Sequence, residues 1–362
     1  MSISKINIRS ASPESIHDWI LEKGHKSFRY KQIHNWLWKK NASSFDSMLN
    51  LGKALINDLE ESFFIDHITL NDQQISNDKT IKCAFSVGET QVVEGVLIPT
   101  KSRSTACISS QVGCSLACKF CATGRLKMLR NLSPGEIVDQ VVSLNKLSLK
   151  YEKRPLSNIV YMGMGEPLLN YKNVLKSTEI ICSEDGLGIS PKRITISTAG
   201  IAKMITKLGD DEVKFNLALS LHAANDQKRN EIMAINESNN LEDLKKSLQY
   251  FHQKTGSRVT FEYIIFDNFN DTPQDAFELA SFAKCVPCKI NIIEYNPIDD
   301  GQLRQADVQK VNEFAKILED KNLIVNIRRS RGKDIDAACG QLANKNKTAI
   351  FRTEQMKKKP VK

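Results

Sequence analysis

Three cysteines, Cys114, Cys118 and Cys121, are separated by three and then two residues in the string Cys114-Ser-Leu-Ala-Cys118-Lys-Phe-Cys121. Three thiolates on one short loop can hold three irons of a four-iron cubane. The fourth iron then stays open to a substrate or cofactor, whereas a purely electron-carrying cluster normally uses four cysteines. A zinc knuckle or buried structural cysteines are the competing readings, yet no fourth Cys or His stands at close zinc-finger spacing.

Six other cysteines divide by context. Cys83 and Cys182 lie in apolar periodic runs and read as core. Cys285-Val-Pro-Cys288 has redox-motif spacing, but it bridges a helix end and a strand start and reads as packing. Cys107 falls on a strand just before the triplet. Cys339 stands between Ala338 and Gly340, where a small buried residue would serve equally well.

The elements that must position these groups form an α/β pattern. Candidate strands run over 104–109, 158–162, 193–197, 215–221, 258–266, 289–295 and 323–328. Helical periodicity fills the gaps at 137–147, 174–183, 201–208, 241–252, 276–283 and 308–318. Such alternation predicts βαβ units and a parallel sheet, closed or partly closed into a (β/α) barrel whose reacting groups follow the strand C-termini. Gly163-Met-Gly165-Glu166, Ser197, Ser220-Leu221-His222, Asn296 and Cys339 all obey that rule. Residues 1–75 read as a helical accessory domain, 76–102 as a connecting β-hairpin, 103–345 as the barrel and 346–362 as a basic tail. Trp36 and Trp38 read as core anchors of the helical part.

At 362 residues and 41% hydrophobic composition, the chain can bury a sizeable core in two domains. No apolar run approaches the roughly 20 residues that span a bilayer, and the first residues lack a secretory apolar segment. A cytoplasmic, monomeric protein with reduced thiols and no membrane partner is expected. The net charge of +9 points to a polyanion, most simply nucleic acid. Basic clusters surround the cysteine loop (Lys119, Arg125, Lys127, Arg130) and occur at Arg328-Arg329-Ser-Arg331-Gly-Lys333 and Lys357–Lys359.

Longer strings carry a resemblance. Cys107-Ile-Ser-Ser-Gln-Val-Gly-Cys114, Cys121-Ala-Thr-Gly124, Met162-Gly-Met-Gly-Glu-Pro-Leu-Leu-Asn170, Ile196-Ser-Thr198, Leu219-Ser-Leu-His222 and Asp334-Ile-Asp-Ala-Ala-Cys-Gly-Gln-Leu342 follow one another in this order. Together they resemble the radical S-adenosylmethionine (SAM) RNA adenine-C2 methyltransferase family over about residues 15 to 345. The related C8 methyltransferases of the Cfr type tend to have Ala after the Glu, where this chain has Glu166-Pro167. Ala234 and Glu294 depart from the family, which usually has proline there.

The resemblance implies a [4Fe-4S] cluster on Cys114, Cys118 and Cys121, with SAM chelating the open iron. It implies SAM contacts at Gly165, Glu166, Ser197, Ser220, Leu221, His222 and Asn296. Adenine C2 is a poor nucleophile, and the family's solution uses two SAM molecules. Cys339 first takes a methyl group by displacement. A radical from the second SAM then activates that S-methyl group for addition to C2. Glu94 matches the family's acceptor of the C2 proton, and Cys107 then attacks the Cys339 sulfur, leaving a transient disulfide. The implied partners are 23S ribosomal RNA, transfer RNA and an electron donor such as flavodoxin or ferredoxin. A C8 methyltransferase, or a non-enzymatic iron–sulfur or zinc RNA-binding protein, are the alternatives.

Overall fold

The computed structural model describes residues 5–299 and 301–344, so the basic tail expected over 346–362 lies outside the described residues. The N-terminal part holds β1 (Ile6–Asn7), α1 (Pro13–Glu22), α2 (Arg29–His34), α3 (Lys53–Ser62) and β2 (Phe63–Phe64). Ser12 starts α1 by accepting from the Ser15 amide, with Pro13 in the first turn, where its missing N–H costs nothing. Ile16, Ile20, Ile33, Leu37, Leu55 and Leu59 bury the helices against one another, and Trp38 joins them.

Three strands follow: β3 (Thr69–Ile75), β4 (Ile81–Val87) and β5 (Gln91–Pro99). Sequence reading placed 69–75 in the helical part and treated the next two strands as a separate hairpin. In fact all three join the barrel sheet. β3 is an exposed polar edge strand, Thr-Leu-Asn-Asp-Gln-Gln-Ile, whose partner β4 defines it better than its own periodicity does.

The barrel part contains β6 (Ser104–Cys107), β7 (Gln111–Val112), β8 (Arg130–Asn131), α4 (Pro134–Glu152), β9 (Asn158–Tyr161), α5 (Tyr171–Cys182), β10 (Ile194–Thr198) and α6 (Ala202–Asp210). It continues through β11 (Asn216–Ser220), α7 (Asp226–Ile232), α8 (Leu241–Thr255), β12 (Val259–Ile265), α9 (Pro273–Ala283), β13 (Cys288–Glu294), α10 (Val308–Asp320) and β14 (Val325–Arg328). One ten-stranded sheet runs β14-β13-β12-β11-β10-β9-β6-β5-β4-β3. The β6-to-β14 portion is parallel and the β3–β6 portion antiparallel.

Strand alternation sorts the sheet into two faces. Ile159, Tyr161, Ile196, Leu217, Leu219, Phe261, Tyr263, Ile290 and Ile292 lie on one face and are all buried. Register places Glu94, Cys107, Ser197, Ser220, Glu262, Asn291 and Arg328 on the other, which is rich in polar and titratable groups. The sheet's two ends are joined by loops. Asp334 after β14 accepts from Ser76 Oγ at 2.5 Å and from the Asn77 amide at 3.0 Å, while Asp78 accepts from the Gly332 amide at 3.0 Å. The barrel is therefore partial in its strands, and loop contacts bridge the gap.

Candidate active site

The cysteine loop leaves β7 through Gly113, whose φ of +81° and whose approach to the Lys127 carbonyl leave no room for a Cβ. β7 pairs antiparallel with β8, closing the base of the loop. Inside it, the Cys121 amide donates to the Cys118 carbonyl at 3.2 Å and the Gly124 amide to the Cys121 carbonyl at 3.1 Å. Burial raises the Cys114 thiol to about 11 and pushes the Cys118 and Cys121 thiols upward as well. The Cys118 thiol feels both of the others, and backbone N–H groups of Ser115 and Leu116 point at the Cys114 sulfur, those of Thr123 and Gly124 at Cys121.

This donor set fits an iron–sulfur cluster. Three thiols share one site, amides are aimed at their sulfurs, and bound cations would supply the positive charge that stabilises thiolates. Among the described residues no three His, Cys, Asp or Glu side chains converge on a single-ion site. A cubane, whose ligands bind different irons, calls for a wider triangle.

The strand ends beyond the loop are tied together by buried polar groups. Gly165, at φ +96°, could carry no Cβ because Gln111 Cβ would lie 2.5 Å away. The Glu166 carboxylate accepts from the Leu168 amide at 3.0 Å and from the Ala199 amide at 2.8 Å. In this structure both residues therefore serve the fold, fastening the β9 loop to the end of β10. Ser197 and Ser220 meet Oγ to Oγ at 3.3 Å. The Leu221 amide donates to the Glu262 carbonyl at 3.0 Å.

His222 is buried at φ +57°, and its Nδ1 accepts from the Ile264 amide at 3.1 Å. Burial, helped by Arg229, lowers its pKa to about 3. It is a neutral wall residue, edge-on to Phe120 at 4.6 Å, and not an acid or base at neutral pH. Asn296 Nδ2 donates to the Cys339 carbonyl at 3.3 Å, whereas its buried Oδ1 has no partner and is available to a ligand donor.

Cys107 and Cys339 are distant in sequence, yet the Cys339 thiol bears on Cys107 electrostatically, Cys121 bears on Cys339, and Arg328 bears on both. Cys107 is buried, which pushes its thiol to about 12. Cys339 keeps solvent-exposed surface, yet protein crowds it on other sides and desolvation still raises its thiol. An open mouth with protein walls reconciles the two. The segment around Cys339 is stitched in place: the Ala122 amide donates to the Gly340 carbonyl at 2.7 Å, and Thr123 Oγ1 to the Leu342 carbonyl at 2.6 Å. Glu94 Oε2 accepts from the Ala343 and Asn344 amides at 2.9 and 3.1 Å. Burial raises the Glu94 pKa against those two bonds and Lys82.

A profile described as the radical SAM superfamily matches residues 108–280, and one described as the ribosomal RNA large subunit methyltransferase N-terminal domain matches residues 6–65. The probable dual-specificity RNA methyltransferase RlmN of Cytophaga hutchinsonii is 60% identical over 343 residues, covering 95% of this chain and 94% of that one. The chain belongs to the RlmN family. Its relative of the same description in Salinibacter ruber is 40% identical over 353 residues, covering 95% of this chain and 96% of that one. The crystal structure of a radical SAM methyltransferase from Sphaerobacter thermophilus superposes with a TM-score of 0.87 at 35% identity, covering 93% of this chain and 99% of that chain. RlmN-family chains are radical SAM proteins and as such use a [4Fe-4S] cluster and SAM.

Several positioning residues escaped sequence reading. Arg229, on α7, is wholly buried and donates to the carbonyls of Ala199 at 2.5 Å and Leu221 at 3.1 Å and to Asn236 Oδ1 at 2.5 Å. Gln140 holds Ser109 by both backbone groups, at 2.8 and 3.0 Å. Their only sequence signal is a polar residue inside a helix that packs on the sheet, and α7 itself, Asp-Gln-Lys-Arg-Asn-Glu-Ile, shows no apolar period.

The basic clusters are also more engaged than their composition implies. Arg329 and Lys333 bond Glu294, Arg331 pairs with Asp78, and Arg130 grips Glu136 through both nitrogens. Glu294, where the family usually has proline, thus anchors the basic loop after β14. The Cys285 and Cys288 thiols are both pushed to about 11 by burial, as packing residues would be. No helix among the described residues is long and apolar enough to cross a membrane.

Proposed function

We propose that this chain methylates C2 of an adenine in 23S ribosomal RNA and in transfer RNA, through a methylated Cys339. The observation that carries the reading is an exposed Cys339 whose thiol bears electrostatically both on the buried Cys107 and, through Cys121, on a separate cysteine triplet. A carrier of electrons or zinc has no use for two further thiols there. Cys114, Cys118 and Cys121 would hold the cluster, and Ser197, Ser220, Leu221, His222 and Asn296 would line SAM, with Gly165 and Glu166 shaping the loop that receives its amino group. When bound, cluster and SAM supply a methyl group to Cys339 and then, from a second SAM, a carbon radical that removes hydrogen from that methyl.

Cys339 carries the resulting methylene to C2, forming a thioether that joins protein and RNA. Glu94 accepts the C2 proton as the adduct's odd electron passes to a one-electron acceptor, a role the bound cluster would supply. Cys107 attacks the Cys339 sulfur, the bond from that sulfur to the methylene carbon breaks with its electron pair on carbon, that carbon takes up a proton to become the methyl group, and the methylated base leaves a Cys107–Cys339 disulfide that a reductant must reopen. An external donor of the flavodoxin or ferredoxin class would supply the electrons. Adenine must be splayed from its stack to reach Cys339.

Peptide mass spectrometry of purified protein tests the reading: one methyl is expected on Cys339. Base-resolved mass spectrometry of product RNA should place the new methyl at C2. A methyl at C8 would assign the chain to the other reaction, and an unmethylated Cys339 in active enzyme would sink the mechanism.

A further inference from the structure

Two buried charges on the reactive face have no assigned relationship. Lys82 on β4 and Glu94 on β5 have 6% and 2% of their side-chain surface exposed, and Lys82 Nζ lies 3.8 Å from Glu94 Oε1. That separation is too long for a direct hydrogen bond. The two oxygens of Glu94 are thereby distinguished. Oε2 is occupied by the Ala343 and Asn344 amides, whereas Oε1 faces the ammonium. The Glu94 backbone is fixed too: its carbonyl accepts from Ser109 Oγ at 2.5 Å and its amide donates to Met164 Sδ at 3.3 Å.

We propose that Lys82 is the positioning residue for proton removal, holding Glu94 ionised with Oε1 as the accepting oxygen. This inference rests on the reading of Glu94 as proton acceptor. In the step, the C2–H bond of the thioether adduct breaks, its proton goes to Glu94 Oε1, its electron pair joins the adenine ring, and the odd electron left by radical addition passes to a one-electron acceptor, a role the bound cluster would supply. Lys82 keeps its own proton throughout, so its positive charge offsets the charge left on the ring while Glu94 becomes neutral. Burying a lysine on this face is costly unless it is paired, and Glu94 lies within ion-pair distance of it.

The charged and titratable groups around Glu94 are Lys82 on β4, Asp336 on the segment carrying Cys339, Asp72 on β3 and Cys107 on β6. Of these, Lys82 is the cation. Removing it raises the Glu94 pKa further, so the ascending limb of the pH profile moves to higher pH. An opposite charge at this range is worth about 1–3 pH units.

The test follows deuterium loss from RNA deuterated at adenine C2, using reconstituted full-length enzyme in a Cys107→Ala background that retains the covalent adduct. Lys82→Met is expected to slow loss about tenfold or more near neutral pH and to displace the limb upward by about 1–3 units. Lys82→Arg, which keeps the charge, should leave the limb close to its original place. Methylation of Cys339 is measured in the same samples as the check on folding. Unchanged loss with an unmoved limb in Lys82→Met overturns the proposal, as does a limb displaced equally by Lys82→Arg. Glu94→Gln separates the two readings: if it too loses deuterium at the original rate, the proton-acceptor role of Glu94 is wrong.

Discussion

The amide of Ala122 donates to the carbonyl of Gly340 at 2.7 Å, so the neighbour of Cys121 is bonded to the neighbour of Cys339. The loop bearing the cysteine triplet and the segment bearing Cys339 are thereby set in one frame. Gly340 itself sits at φ +83°, and a Cβ there would meet the Phe120 carbonyl at 3.1 Å.

Gly340→Ala should therefore separate cluster binding from Cys339 chemistry. A side chain at positive φ costs about 1–2 kcal/mol, which corresponds to roughly a tenfold loss of the productive loop conformation. Iron and sulfide content should be retained while the methyl on Cys339, read by peptide mass spectrometry, falls by about that factor. Equal loss of iron would contradict the division.

Arg229 offers a second dissection. Its guanidinium satisfies carbonyls at the ends of β10 and β11, which carry Ser197 and Ser220. Arg229→Ala strands those buried acceptors, at about 1–3 kcal/mol each. Reduced thermal stability and weakened SAM binding by calorimetry are expected together. Arg229→Lys, a point charge without the planar fork, should recover little.

His222 governs part of the acid response. Its folded pKa, about 3, lies below the unfolded value of 6.5, so the unfolded chain binds more protons between those limits. The stability it contributes is complete above pH 6.5 and is lost as pH falls toward 3, by about 1.4 kcal/mol per unit at most. His222→Asn tolerates the left-handed backbone and can accept from Ile264. Denaturant midpoints of this variant should fall less steeply between pH 6 and 4 than those of the parent.

A buried ion pair fastens the N-terminal part. Arg9 Nη1 donates to Asp139 Oδ1 at 2.8 Å, and Asp139 Oδ2 accepts from the Ile68 amide at 3.2 Å. Arg9→Met should cost about 3–5 kcal/mol by removing the guanidinium from buried Asp139, which keeps only the His67 ring at 3.0 Å and the Ile68 amide, and adding Asp139→Leu should return part of that loss. Chemical denaturation of the two single variants and the double variant gives the coupling directly. Strict additivity would show that the pair does not fasten the parts.

Strands β9 to β13 were legible because helices cover one face and make runs such as Ile194-Thr-Ile-Ser-Thr and Lys289-Ile-Asn-Ile-Ile distinct from their polar surroundings. The cysteine triplet was legible because its spacing is local. Residues 69–75 were not, since an exposed edge strand has no buried period of its own. Arg229 and Lys82 were not legible for a related reason: what makes them matter is the set of partners, and those come from other strands and loops. Glu294 misled in the opposite direction, because the basic run after β14 looks free in sequence and is partly neutralised in space.

The joint between Asp334, Asp78 and the β3–β4 turn has a mechanical meaning. It is a zip of a few side-chain bonds where a closed barrel would have a full ladder. A cylinder fastened in this way can unlatch along its length without losing a strand.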